Sequence, residues 1–189
     1  MLSTKIKEAT HTAHQQLEKK VVLKLKAIRS NADYADLLRY FYAYFNALEI
    51  AIAPYITAHV LPNFAARRDT GYLKNDIEEL GSNVNKLPQV TLPAIKNVVD
   101  ALGALYVMEG SIMGGPYIVQ MLQKGGIDKG VSFFSGYGKN TGQMWGIFTE
   151  ALNRVAATEA DEEAAIEAAN QTFSNFGNMF VQDTVPTQA

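Results

Sequence analysis

Apolar residues recur at three- and four-residue intervals along almost the whole chain, and no run alternates apolar and polar positions over a strand's length. That periodicity commits the polypeptide to helices, so the expected fold class is all-α. The 189 residues suit one domain, and neither a repeat nor a flexible linker divides them. A single multi-helical domain is expected over 1–182, with a frayed tail over 183–189.

The first helix is predicted over 4–27, with Ile6, Thr10, Ala13, Leu17 and Val21 on one stripe. Ser30-Asn31-Ala32-Asp33 reads as a capping-box-like start for a second helix through Tyr34, Leu38, Phe41, Tyr44, Phe45 and Leu48, whose aromatics are expected to serve packing. Pro54 and Pro62 break or kink the chain beyond it. A third helix over 69–81 ends at Gly81 as a left-handed stop. The next is predicted to start at Thr91-Leu92-Pro93, with Thr91 as cap, and to run to Gln123. Two more complete the domain, over 141–157 and 160–181.

Several function classes fall away on composition. The formal charge of −2 gives no overall basic field for nucleic acid, although Lys5, Lys7, Lys19, Lys20, Lys24, Lys26 and Arg29 outnumber Glu8 and Glu18 in the first thirty residues. Zero cysteines removes disulfides, thiolate metal sites and cysteine nucleophiles. The polar, lysine-bearing start does not resemble a secretory signal, and no stretch approaches the roughly 20 apolar residues of a membrane helix. A soluble cytoplasmic protein with no nucleic-acid or membrane partner is expected.

Eleven of the fourteen glycines lie between Gly103 and Gly146, and Gly110, Gly114 and Gly115 interrupt an otherwise helical stretch that also contains Pro116. An interior glycine costs a helix about 1 kcal/mol relative to alanine, and an interior proline costs more. Periodicity nevertheless resumes at Ile118, so the helix is expected to bend and continue. Two readings are open. Small residues let a neighbouring helix approach, or Gly110 and Gly114 on successive turns bare the backbone to something flat and bulky. Met108 and Met113 flank them, and apolar gap-filling is their expected role.

Only three histidines exist: His11, His14 and His59. On an ideal helix His14 falls about 40° from Thr10, about 60° from Leu17 and about 20° from Val21, inside the apolar stripe. It reads either as an ordinary core histidine or as a ligand, with Glu18 four residues on able to accept from the ring. A single histidine cannot cage a metal, but it suffices as proximal ligand where a porphyrin supplies the rest. His11 and His59 look exposed.

Lys7-Glu8-Ala9-Thr10-His11-Thr12-Ala13-His14-Gln15-Gln16-Leu17-Glu18 and Gly110-Ser111-Ile112-Met113-Gly114-Gly115 together resemble the haem oxygenase family. Phe133-Phe134-Ser135-Gly136, Trp145-Gly146-Ile147-Phe148 and Ala168-Ala169-Asn170-Gln171-Thr172-Phe173 are similar to its bacterial branch, which includes members associated with biliverdin-binding photoreceptors. The resemblance implies a haem oxygenase fold with haem sandwiched between the first helix and a glycine-kinked distal helix. It implies His14 as iron ligand, Glu18 as its hydrogen-bonding partner, Gly110, Ser111 and Gly114 as the catalytic distal segment, and Gly115 and Phe173 as further haem-binding residues. Haem is then both substrate and cofactor, opened to biliverdin, carbon monoxide and ferrous iron with O2 and electrons from a reductase or ferredoxin.

The chain departs from the pattern in two places. Animal members carry an aspartate where Ser111 stands, and a hydroxyl is a poorer proton reservoir than a carboxylate. Their propionate-holding bases are matched here by Trp145 and Thr149, leaving Lys7 and His11 as propionate candidates. The rivals are a haem carrier or sensor of the same fold, a thiamin-degrading relative that the missing cysteines speak against, and a helical adaptor with no ligand.

Overall fold

In a computed structural model the described residues, 1–181, form seven α-helices: α1 (Leu2–Ala9), α2 (His11–Ala27), α3 (Asn31–Ile52), α4 (Thr70–Glu79), α5 (Val98–Lys124), α6 (Thr141–Val155) and α7 (Glu159–Met179). Two single-turn 3-10 segments, Phe64–Ala66 and Gly138–Asn140, complete the regular structure, and no strand occurs among the described residues. The tail expected over 183–189 lies outside them.

Local chemistry accounts for most of the boundaries. Ser30 caps α3 by accepting from the Asp33 amide at 3.2 Å. At the end of α4, Gly81 takes φ +81° while the Ser82 and Gly81 amides donate to the Ile77 and Glu78 carbonyls, the paired bonds of a left-handed helix stop. Thr158 and Asp161 close a reciprocal capping box at the start of α7.

Two expected boundaries are corrected. The single helix predicted over 4–27 is two, broken at Thr10 (φ −99°, ψ 0°), whose hydroxyl donates to the Ile6 carbonyl at 2.7 Å. A buried threonine bonding back to its preceding turn offers that carbonyl an alternative partner. The helix predicted from Thr91-Leu92-Pro93 starts instead at Val98, where Asn97 Oδ1 accepts from the Val99 and Asp100 amides at 2.8 and 2.9 Å. Residues 90–96 run without helix, with Pro93 buried.

Helix α5 is the core element. Every residue from Val99 to Glu109 except Asp100 is buried, and the helix continues unbroken through Gly110, Gly114, Gly115 and Pro116. It packs chiefly on α7, then on α3 and α6. The α5–α7 crossing is close because Gly103 has no side chain: a methyl there would stand 2.3 Å from the Ala165 carbonyl oxygen. Phe41, Phe45, Phe133, Phe134 and Phe176 fill the space between α3, α7 and the segment before α6 in a chain of ring contacts. The Tyr44 hydroxyl donates to the Thr172 carbonyl at 3.0 Å, tying α3 to α7 beside Phe173.

Behind α5 the 130–138 segment is anchored by buried Asp76 of α4. Its carboxylate accepts from the Ser132 amide and hydroxyl and the Phe133 amide at 3.0, 2.6 and 2.9 Å. The Phe134 carbonyl is thereby held under α5.

Candidate functional site

The turn between α1 and α2 meets the middle of α5. Tyr106 is 9 % exposed beside Thr10, and its ring lies 5.6 Å from Trp145. Thr10 stands one helical turn before His14, and Tyr106 one turn before Gly110. α2 and α5 are in contact, so His14 and the glycines Gly110 and Gly114 lie on neighbouring helices.

His14 is not the core residue that its place on the stripe suggested. Leu17, Val21 and Leu25 are buried, but the His14 side chain is 56 % exposed. The stripe is covered by α7 at Leu17 and beyond and uncovered one turn earlier. The ring is not loose, since Phe173 of α7 meets it edge-on, with centroids 5.5 Å apart at 80°. Glu18 Oε2 lies 3.9 Å from His14 Nδ1, beyond hydrogen-bond distance but within ion-pair range.

The three distal glycines divide by face. A methyl on Gly110 or Gly114 would meet nothing within 4 Å, so both present bare backbone to open space. Gly115 is turned about 100° from Gly114. A methyl there would lie 2.0 Å from the Phe134 carbonyl oxygen, so the bare backbone of Gly115 allows the close approach of that segment. Met113 and Tyr117, 40 % and 56 % exposed, flank the open glycines, whereas Met108 is core. The gap-filling role expected of Met113 is thus not what it does. The Ser111 hydroxyl donates to the Val107 carbonyl at 3.0 Å, committing its proton to its own helix.

Lys7 and His11 are exposed at the same end of the molecule as His14. Other bases of α1 and α2 are engaged: Lys5 with Glu162, and Lys20 with the Gly177 carbonyl at 3.1 Å. Among the described residues no three histidine, aspartate or glutamate side chains gather into a metal site. An exposed lone histidine on a helix that neighbours a strip of bare helix backbone suits a flat ring that brings its own four metal ligands. The residues present therefore fit haem.

Sequence reasoning missed the other side of α5. Glu109 is the only charged residue between Asp100 and Lys124. Its carboxylate accepts from Arg67 Nη1 at 2.6 Å, with both side chains 2 % exposed. Arg67 also donates from Nε to Asn63 Oδ1 at 3.1 Å and from Nη2 to the Met144 carbonyl at 2.9 Å. The unusual charge inside an apolar helix was the available signal. Burial pushes the Glu109 carboxyl above its ordinary range, and Arg67 and Tyr137 pull it back only in part.

A raised carboxyl pKa means that the folded chain holds this proton more tightly than the unfolded one. Its stabilising contribution is then full in acid and lost as pH rises from the ordinary carboxylate value through the raised one. Glu109→Gln keeps a hydrogen-bonding partner for Arg67 and removes the titration. The variant is expected to show a flatter fall of melting temperature with pH above about 4.5, and a slope equal to wild type would refute the assignment.

Comparison with known proteins gives the family and the fold. The family model described as Heme oxygenase matches residues 1–182. "Heme oxygenase PigA" from Pseudomonas aeruginosa is 25 % identical over 179 residues, covering 94 % of this chain and 90 % of that protein. The NO- and CO-bound heme oxygenase from Neisseria meningitidis superposes with a TM-score of 0.82 at 21 % identity, over 100 % of this chain and 95 % of the other. No helix among the described residues is long and apolar enough to cross a membrane. With an all-helical frame and a family match across 1–182, the chain belongs to the haem oxygenase family, whose reaction degrades haem to biliverdin.

Proposed function

We propose that the single domain over 1–182 is a haem oxygenase of the cytoplasm, opening haem to biliverdin, carbon monoxide and ferrous iron with His14 as the proximal ligand. The observations that support this reading are the bare backbone of Gly110 and Gly114 on α5 and the exposed His14 ring of the neighbouring α2, braced edge-on by Phe173. Bound haem supplies the iron and the ring that is opened, while O2 and the electrons of a reductase or ferredoxin come from outside.

The protein's own part is binding, orientation and exclusion. Phe173 buttresses the His14 ring, and Glu18, a small rotamer change from hydrogen-bonding distance, orients it and increases its basicity. Gly110 and Gly114 allow close approach of the distal helix and place no side chain there that would cleave an O–O bond in the peroxidase manner. Ser111, having donated its proton to Val107, accepts from water and orders it. Lys7 supplies positive charge and His11 a ring N–H donor for the propionates. Tyr117 and Met113 cover the exposed ring edge. The biliverdin released suits a bilin-binding photoreceptor as acceptor.

Titrating haemin into the protein and adding reductant in air tests the reading. A histidine-ligated Soret band that gives way to the biliverdin spectrum is expected. A stable band with no biliverdin would favour a carrier or sensor, a reading to which the engaged Ser111 proton lends support. No Soret band at all would sink both.

A further inference from the structure

Haem binding and ring opening make no use of the polar cluster behind α5. Arg67 and Glu109 are as buried as any apolar core residue, and Arg67 reaches three elements: the Asn63 side chain, the Met144 carbonyl of α6 and Glu109 of α5. Tyr137 stands beside them, its hydroxyl accepting from the Arg68 amide at 3.0 Å. A buried ion pair is seldom a net source of stability, since apolar residues of similar volume commonly do as well or better. Stability alone does not explain it.

Its place in the chain gives it another use. Glu109 immediately precedes Gly110, and the segment from Gly110 to Pro116 holds three glycines and a proline, the weakest helix formers. Such a segment cannot fix its own path, and its front is open at Gly110 and Gly114. Its position must therefore be set from the back. There the 133–137 stretch supplies the Phe134 carbonyl under Gly115, Gly136 closes on Ile112, and Arg67 holds Glu109.

We propose that the Arg67–Glu109 pair is a positioning device for the distal helix, tying the residue before Gly110 to the 63–67 turn and to α6 and so setting how closely Gly110 and Gly114 approach bound haem. Neither side chain faces the open glycines, so both act through the helix and are not catalytic residues. The proposal rests on the haem oxygenase reading of the site.

Two measurements on the Arg67→Met/Glu109→Leu double variant decide it. Apolar partners of similar size are expected to keep the melting temperature and the His14-ligated Soret band. In the ligand-free protein, amide exchange over 107–116 is expected to accelerate by about tenfold while α3 and α7 remain as in wild type. In the reduced haem complex, the rate of CO release should shift severalfold.

Exchange over 107–116 at the wild-type rate overturns the proposal, as does an acceleration spread evenly over all helices, which is the mark of mere destabilisation. Should the double variant fail to fold, Arg67→Lys, which keeps the charge but has no fork to reach Asn63, the Met144 carbonyl and Glu109 together, takes its place with the same readouts. Wild-type protein that binds no haemin sinks the functional reading, and the exchange measurement on ligand-free protein then still decides whether the pair holds the helix.

Discussion

Replacing His14 by alanine is expected to abolish the axial histidine spectrum of the haemin complex and to stop biliverdin formation, while leaving the fold intact. The side chain is 56 % exposed and touches the rest of the protein only through the Phe173 ring edge and the distant Glu18 carboxylate. Its removal opens no core cavity, so the stability change should stay within about 0.5 kcal/mol, as at other exposed positions. The effect on haem is of another order. Loss of a group that merely orients a metal-bound histidine costs about 10–100-fold in affinity or activity, which is where Glu18→Gln belongs. Loss of the ligand itself must exceed that. Added imidazole, diffusing into the space left beside Phe173, should restore part of the spectrum. If His14→Ala kept the wild-type coordination, the iron ligand would have to be sought at His11 or His59.

Where the chain's structure follows from near neighbours, it can be read from sequence. Ser30, Gly81 and Thr158 end or begin helices through bonds that span three to five residues, and those boundaries are where pattern places them within a few residues. The start of α5 is different. Thr91 and Pro93 have the right chemistry for a helix start, yet Pro93 is buried in an extended stretch and Tyr55 reaches the Ile95 carbonyl at 3.5 Å. Asn97 then serves as the cap, because tertiary packing overrides a weak local preference.

The site divides in the same way. His14, Glu18 and the glycines are legible as a constellation, but their faces are not. Gly110 and Gly115 look equivalent in sequence, and only the Phe134 carbonyl tells them apart. Arg67 and Glu109 lie 42 residues apart, with nothing in either neighbourhood to announce the other. A sequence shows that a charge is misplaced in an apolar helix, whereas its partner is a property of the fold.

That division of the glycines carries the second large expectation, in which two chemically identical substitutions move stability in opposite directions. Gly115→Ala places a methyl 2.0 Å from the Phe134 carbonyl oxygen, a backbone atom that cannot rotate away. The segment bearing it is pinned by Asp76 through the Ser132 and Phe133 amides. Overpacking ordinarily costs about 1–3 kcal/mol, and a clash with anchored backbone belongs at or beyond the upper end. Gly110→Ala meets nothing within 4 Å and gains up to about 1 kcal/mol of helix propensity. Its melting temperature should therefore rise.

If the open face is where haem lies, the same methyl stands between ring and backbone and weakens haemin binding by about tenfold for each 1.4 kcal/mol of strain it introduces. Gly114→Ala should behave likewise, with the larger effect falling to whichever glycine the ring approaches more closely. A Gly110→Ala protein that is more stable but binds and degrades haem poorly is the signature of a face kept bare for a ligand. If it is more stable and fully active, haem does not lie against Gly110.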